Sequence, residues 1–298
     1  METLKPGLHF DIPESVYHAD PCERPSLSVS VAKVLLDRSP FHAAAIHPRL
    51  GRQSLEEGDD EPTSVMQRGR LIHALLLGGG GKFATVMKTD KKTGVVAPAD
   101  DYRTDSAKEF RDAAIARGEI PVLSHQLEEA TRAADVLRER LDIPPLTEVT
   151  AVWESNGVLC RGRLDGLDRE IVHGPWWRGW DLKTCDNAAA AATETNILKY
   201  GYHIQRAAYV EAIETLHPEL AGRGDWEFAF AEVTGVYDVI RCDLPGEMIE
   251  LGRRQWARAK RIWAACLASD VWPGYDPGKR IIEAGARTVA LLANEVGA

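Results

Sequence analysis

The most informative stretch of this chain is Gly179-Trp180-Asp181-Leu182-Lys183-Thr184. Its composition predicts a short strand, and the side chains of a strand alternate between its two faces. Asp181 and Lys183 therefore point the same way, while Trp180 and Leu182 point into the core. The stretch places an acid and a lysine side by side on one strand face.

The preceding predicted strand supplies a second acid, Asp165, at the end of Arg161-Gly162-Arg163-Leu164-Asp165. If the two strands pair as a hairpin, two carboxylates and one ammonium group meet on one face of the sheet. Two carboxylates can hold a divalent metal, and a nearby lysine can orient or deprotonate a water. This equipment suits the hydrolysis of a phosphodiester.

The strand that ends at Asp165 also carries Arg161 and Arg163 on the same face. A half-buried sheet face with this much charge is costly unless it binds something. Both arginines are therefore candidate phosphate contacts, and the alternative is that they pair with neighbouring acids. Taken singly, Asp165 and Asp181 are also compatible with ordinary acids at strand ends.

Periodicity, caps and turns predict an α/β (or α+β) fold with one central mixed sheet flanked by helices. Asn156-Gly157 lies between two strand-like runs and predicts a hairpin turn. The predicted strands cover residues 148–155, 158–165, 178–184, 227–233 and 237–243. The predicted helices run from Ser28 or Ser30 to Ser39 and over 65–77, 105–117, 125–141, 202–216 and 245–268.

We expect a single domain over residues 1–298, with no second domain and no internal repeat. Residues 1–64 form a helical N-terminal elaboration that ends in a mobile loop from Gly51 to Ser64. Residues 65–270 form the core, and residues 271–298 form a C-terminal segment.

The net charge of −9 argues against a protein that coats DNA generically, although a local basic channel remains compatible with it. Two groups of basic residues are candidates for such a channel, and the alternative for each group is a solvated face. The groups are Arg253, Arg254, Arg258, Lys260 and Arg261, and Lys82, Lys88, Lys91 and Lys92.

Five scattered cysteines and the lack of a Cys-x-x-Cys pair indicate a reduced, cytoplasmic protein without a structural zinc site. No apolar run is long enough to span a bilayer and no signal peptide is evident, so we expect no membrane partner.

An ordered set of motifs links these residues: Gly-Arg-x-x-His, an acid after an arginine-rich strand, Asp-x-Lys-Thr and Gln-x-x-x-Tyr. The set resembles the PD-(D/E)XK nuclease superfamily, specifically its RecB-like branch. The matching positions are Gly69, Arg70, His73, Asp165, Asp181, Lys183, Thr184, Gln205 and Tyr209. The segments Tyr17-His18-Ala19-Asp20, Ser28-Val29-Ser30, Ser39-Pro40 and Tyr202 to Gln205 are similar to RecE-type exodeoxyribonucleases of phages and prophages.

The resemblance implies a restriction-endonuclease-like core and a role for each matching residue. His73, Asp165, Asp181 and the backbone carbonyl of Leu182 would bind Mg²⁺ or Mn²⁺, and Lys183 would position or activate the attacking water. Gln205 and Tyr209 would order the site and contact the DNA backbone.

Candidates of second rank are Arg70, Arg161, Arg163 and Glu154, and for Glu154 a solvated acid at a strand edge is an equal alternative. Some relatives carry an iron–sulfur cluster on one early and several late cysteines. Cys242 and Cys266 do not supply that late group, so no iron–sulfur cluster is expected.

The main hypothesis is a metal-dependent exodeoxyribonuclease that resects linear double-stranded DNA from the 5′ end in recombination. The resemblance implies a single-strand annealing protein as partner, and a ring-shaped homo-oligomer would suit processive digestion. The first rival is a structure-specific or restriction-like endonuclease of the same fold. The second is a protein of this fold that binds DNA or assembles a complex without catalysis.

Overall fold

The computed structural model of the chain describes residues 3–51, 64–78, 82–168 and 176–278. The strands are β1 (Gly7–His9), β2 (Leu27–Ser28), β3 (Lys82–Thr85), β4 (Met87–Thr89), β5 (Val96–Pro98), β6 (Glu119–Val122), β7 (Leu146–Ser155), β8 (Val158–Leu167), β9 (Trp177–Cys185), β10 (Gly224–Glu232) and β11 (Val239–Cys242). The helices are α1 (Glu14–His18), α2 (Val29–Asp37), α3 (Pro40–Ile46), α4 (Ser64–Leu77), α5 (Asp105–Ala116), α6 (Ser124–Arg140), α7 (Ala190–Lys199), α8 (Tyr202–Leu216) and α9 (Gly246–Ser269). Residues 52–63 of the predicted mobile loop and residues 279–298 of the predicted C-terminal segment lie outside the described parts.

A central mixed sheet organises the molecule, as the sequence predicts. Its order is β1-β7-β8-β9-β10-β11, and β2 pairs with β8. The β9–β10 pair is parallel, and the two helices α7 and α8 connect these strands. The neighbouring pairs β7–β8, β8–β9 and β10–β11 are antiparallel.

The predicted hairpin forms at β7 and β8. Asn156 and Gly157 have φ angles of 52° and 76°, the left-handed conformation that a two-residue hairpin turn of type I′ requires at both positions. The strand register begins at Ser155 opposite Val158 and runs to Leu146 opposite Leu167. This turn therefore determines which residues of the two strands face each other.

Helices cover both faces of the sheet. On one face, β7 and β10 pack against α8 and α9, with Trp153, Phe228 and Trp256 in the core. On the other face, Trp180 and Leu182 of β9 belong to the core that α4 and α6 complete. The prediction that these two side chains point into the core is confirmed.

The predictions lacked several elements of the fold, among them helix α7, the β3–β6 pair and the β4–β5 hairpin. The strands in question are three or four residues long, and two of them contain proline, Pro98 and Pro121. Runs this short cannot show a clear alternation of apolar and polar residues. In the parts of the chain that the structure describes, no helix combines the length and the apolar character that crossing a membrane requires.

Candidate active site

The site forms where strands β8 and β9 separate. The two strands pair at only two positions, one of which is Gly166 opposite Trp180. Two residues beyond Trp180, the Leu182 amide donates a hydrogen bond of 2.8 Å to Asp165 Oδ2 in place of a backbone partner. The predicted pairing is therefore confirmed at one end of the strands, and the opened end receives the polar side chains.

Helix α4 brings a histidine to this opening. A Cβ atom on Gly69 would lie 2.6 Å from Thr184 Oγ1, so only glycine lets α4 approach β9 this closely. His73 follows one helical turn later, and its Nε2 lies 3.3 Å from Asp165 Oδ2. The Gly-Arg-x-x-His spacing thus has a physical reason: the glycine sets the distance at which the histidine meets the acid.

A third acid, Glu148, joins this pair and was missed in the sequence. Its Oε1 lies 3.7 Å from His73 Nδ1, and ligand atoms of His73, Glu148 and Asp165 all lie within 4.8 Å of one another. The register of the hairpin could have revealed it. Counting back from the Asn156-Gly157 turn puts Glu148 opposite Asp165, between two paired positions.

Two acids at opposite positions of neighbouring strands repel each other unless positive charge lies between them or beside them. Glu148 also has a left-handed backbone, with a φ of 54°. Its carboxylate forms an ion pair with Arg163, whose Nη1 donates to the Ile12 carbonyl at 3.1 Å. Burial and the charge of Asp165 raise the pKa of Glu148 even so, against the lowering effect of Arg163 and His73. The local charge therefore favours a cation.

Asp181, Lys183 and Gln205 form a second, tightly connected group beside the first. Lys183 Nζ lies 2.5 Å from Asp181 Oδ2 and donates to Gln205 Oε1 at 3.1 Å. Gln205 Nε2 donates in turn to Asp181 Oδ1 at 2.5 Å. The glutamine of α8 therefore fixes both the acid and the lysine of β9.

Burial and neighbouring charges shift the pKa values of Asp181 and Lys183. Burial raises the pKa of the fully buried Asp181 to about 6, against the lowering effect of Lys183. Burial alone would lower the pKa of Lys183, but Asp181 and Asp165 outweigh it, and the net shift is upward. Lys183 therefore carries its proton in this arrangement.

Asp165 and His73 are shifted in opposite directions. Burial alone would raise the pKa of Asp165, but His73, Lys183 and the Leu182 amide together lower it. Burial alone would lower the pKa of His73, but the neighbouring Asp165 and Glu148 raise it to about 9. Both groups are consequently ionised near neutral pH.

The donor set fits a hard divalent cation. Carboxylate oxygens are the ligands that Mg²⁺ prefers, and Mn²⁺ also accepts an imidazole nitrogen. Among the described residues, the buried Oδ2 of Asp181 receives no hydrogen bond, since its contact with Lys183 lacks hydrogen-bond geometry. The structure brings together His73 and Asp165, adds Glu148, and sets Asp181 beside them. For Leu182 the structure shows a hydrogen bond from the amide to Asp165, and metal binding by its carbonyl stays a prediction.

Tyr209 lies beneath the site. Its ring packs on β8 at Gly162, where a Cβ would be 2.5 Å from Tyr209 Cε1, and against Trp226 at 5.7 Å between ring centroids. Tyr209 and Gln205 are both buried. That burial favours the expected ordering role of these residues over the expected contact with the DNA backbone.

The arginines of β8 are both held by partners inside the protein. Arg161 is buried, and its Nη1 donates to the Ser26 carbonyl at 2.9 Å and lies 3.1 Å from Asp20 Oδ1. Arg161 thus pairs with an acid, which is the alternative to the phosphate contact. Arg163 likewise pairs with an acid, Glu148, which lies beside His73 and Asp165.

The remaining second-rank residues lie apart from the carboxylates or point outward. Glu154 lies six residues from Glu148 along β7, which corresponds to about 20 Å, and its carboxylate pairs with Arg24 at 2.8 Å. This position matches the alternative of an acid at the strand edge. Arg70 is exposed on α4 next to Gly69 and remains a candidate phosphate contact.

The two predicted basic groups are partly neutralised. Lys260 is buried and lies 2.6 Å from Glu211, while Lys88 and Lys91 pair with Asp100 and Asp105. Other members of the groups, including Arg253, Arg258 and Arg261, are exposed.

A mixed sheet that opens onto three acids, a histidine and a lysine defines the restriction-endonuclease-like class of fold. The chain belongs to the PD-(D/E)XK nuclease superfamily, whose family model matches residues 26–260. The chain is also similar to the crystal structure of a candidate exonuclease from Eubacterium rectale, with a TM-score of 0.57 and 13% identity over 96% of this chain and 99% of that chain. At this identity the likeness supports the fold alone. No curated protein sequence matches the chain.

Proposed function

We propose that this protein is a metal-dependent exodeoxyribonuclease of the RecE type, which degrades linear double-stranded DNA from the 5′ end in recombination. The observation that carries the hydrolytic part is the group of His73, Glu148 and Asp165 within 4.8 Å, beside the Asp181–Lys183 pair. The exonuclease part rests on the resemblance of the N-terminal segments and the α8 segment to RecE-type enzymes. The candidate exonuclease from Eubacterium rectale has the same fold.

The residues of the site divide into those that hold a metal and those that orient the reactants. His73, Glu148, Asp165 and Asp181 would hold Mg²⁺ or Mn²⁺. When bound, such an ion lowers the pKa of a coordinated water and offsets charge on the leaving oxygen. The carboxylates of the protein attract the ion. Lysine and arginine neutralise the charge of the phosphate.

Lys183 orients the attacking water or a phosphate oxygen by donating hydrogen bonds from its protonated amine. Asp181 and Gln205 hold that amine from two sides, at 2.5 Å and 3.1 Å. Gln205 accepts one hydrogen bond from an ammonium group that has three N–H donors, so donors remain for the reactants. Arg70 is exposed on the same helix as His73 and is a candidate contact to the DNA backbone.

End-labelled linear duplex, digested beside covalently closed circles with Mg²⁺ and with EDTA, tests the proposal. We expect early release of the 5′ label, intact closed circles and no digestion in EDTA. Release of the 3′ label first would overturn the polarity. Nicking of the closed circles would establish the endonuclease alternative, and tight DNA binding without any cleavage would establish the non-catalytic one.

The role also implies partners. A single-strand annealing protein would take over the strand exposed by resection, and a homo-oligomeric ring around DNA would keep the enzyme on its substrate. Sedimentation of the purified protein tests the ring, because a monomer at micromolar concentration would contradict it. We propose that the enzyme acts in the cytoplasm.

A further inference from the structure

A row of aromatic rings and lysines leads from the protein surface to Lys183. Tyr200 follows helix α7 and is 47% exposed, and Tyr202 begins helix α8. The two rings lie 5.8 Å apart between centroids, with an angle of 32° between their planes. Lys183 Nζ lies 4.4 Å from the Tyr202 ring centroid, so the inner end of the row is at the site itself.

A second lysine, Lys33 of α2, approaches the same ring. Its Nζ lies 5.2 Å from the Tyr202 centroid. Within the described residues, the partly buried Lys33 forms neither a hydrogen bond nor an ion pair, whereas Lys183 is held by Asp181. A partly buried ammonium group without an acidic partner is unfavourable unless it meets an anion. Burial and the charge of Lys183 lower the pKa of Lys33 to about 8.

Gly201, between the two tyrosines, leaves room for the Lys33 side chain. Gly201 has a φ of 63°, and a Cβ at this position would lie 3.2 Å from Lys33 Cε. At the outer end of the row, Lys199 Nζ lies 5.1 Å from the Tyr200 ring centroid. Ammonium groups and rings therefore occur together from the surface inward.

We propose that this tyrosine–lysine track (Lys33, Lys183, Lys199, Tyr200 and Tyr202) binds the nucleic-acid strand whose phosphodiester is cut. Lys33 contacts a backbone phosphate next to the scissile one, and Tyr200 stacks on a base. The inference deepens the proposed nuclease function and rests on it.

Two physical arguments assign this ligand. Phosphate groups are bound by unpaired lysine and arginine, and Lys33 is such a group at the edge of the site. Aromatic rings give stacking platforms to unpaired bases and do so for every base, because every base has a π face. A track of rings and cations suits a single strand and predicts binding that is independent of sequence.

Equilibrium binding of a fluorescent single-stranded oligonucleotide tests the track, with Ca²⁺ replacing Mg²⁺ and with NaCl varied. A lost phosphate contact lowers the slope of log K against log salt by about 0.7 for single strands. We expect this decrease in Lys33→Met and the wild-type slope in Lys33→Arg. Lys108→Met, which removes an exposed lysine of α5, is the matched control and should keep the wild-type slope.

The stacking contact has its own pair of variants. Tyr200→Ala should bind the oligonucleotide about tenfold more weakly, while Tyr200→Phe, which keeps the ring, should bind like the wild type. If Lys33→Met melts well below the wild type, Lys199→Met at the exposed end tests the phosphate contact in its place. We expect the same decrease in the slope of log K against log salt.

The outcomes separate this inference from the function on which it rests. A wild-type protein that neither binds nor degrades DNA contradicts the proposed function. A wild type that degrades DNA, together with unchanged affinity and salt slope in Lys33→Met and Tyr200→Ala, overturns the track and leaves the nuclease function standing.

Discussion

Metal binding at this site should release a proton from His73. The neighbouring Asp165 and Glu148 raise the pKa of His73 to about 9, so the imidazole is protonated at neutral pH in the metal-free protein. A metal binds only the neutral imidazole, and the ion must therefore displace the proton. The apparent affinity for metal should rise with pH until the histidine loses its proton.

The size of the effect follows from the pKa. Below a pKa of about 9, each pH unit should weaken the apparent affinity about tenfold, because the proton competes for the same nitrogen. Between pH 8.5 and pH 6.5 the loss is about 100-fold.

Isothermal titration calorimetry with Mn²⁺ measures the apparent affinity for metal and the number of protons released. Titrations at pH 6.5, 7.5 and 8.5 give the affinity, and repetition at pH 7.5 in buffers of different ionisation enthalpy gives the number of protons released. We expect about one proton per metal ion. His73→Gln should bind metal more weakly and with little dependence on pH above 7.5, whereas the exposed His125→Gln should keep the wild-type dependence.

This prediction would be contradicted by a wild-type affinity that stays constant from pH 7.5 to 8.5 without proton release. It would equally be refuted by His73→Gln retaining the full pH dependence. Either result would show that the metal does not take the place of the histidine proton.

Three further outcomes follow from the same geometry. Glu148→Gln should lower the nuclease rate at least about 100-fold, whereas Glu154→Gln should stay within about twofold of the wild type. Gly69→Ala should lower the free energy of unfolding by about 1–3 kcal/mol because its Cβ would meet Thr184 Oγ1 at 2.6 Å, and Thr184→Ala in the same chain should restore part of that loss in urea titrations. In the metal-free protein, His73 has a folded pKa of about 9 above its ordinary 6.5, so its stabilising contribution is complete below pH 6.5 and is lost as the pH rises through 9. The melting temperature in EDTA should fall over that range in the wild type and stay level in His73→Gln.

Much of the fold could be predicted because its signals are local. The Asn156-Gly157 turn specifies the β7–β8 hairpin, and the alternation in the Asp181 stretch specifies which side chains of β9 are in the core. Helices α4, α6, α8 and α9 carry recurring apolar residues over three or more turns. Each of these signals lies within about twenty residues of sequence.

The rest depends on contacts between distant segments. Arg161 was expected to be a possible phosphate contact, but its partner Asp20 lies far away in the N-terminal elaboration. The separation of β8 from β9 depends on the Asp165 carboxylate accepting from the Leu182 amide, which no local pattern announces. Glu148 is different, because the register set by the hairpin turn already places it opposite Asp165.

The central claim is that Asp181 and Lys183 lie in a metal-dependent site that hydrolyses phosphodiesters. The most direct measurement is the rate of nucleotide release from linear duplex DNA with Mg²⁺ by the wild type, Asp181→Asn and Lys183→Met. Asp186→Asn, which changes an exposed acid just beyond the same strand, serves as the control. We expect a loss of at least about 100-fold in both site variants, full activity in the control and none in EDTA. Wild-type digestion that continues in EDTA, or site variants that keep rates within a few-fold of the wild type, would contradict it.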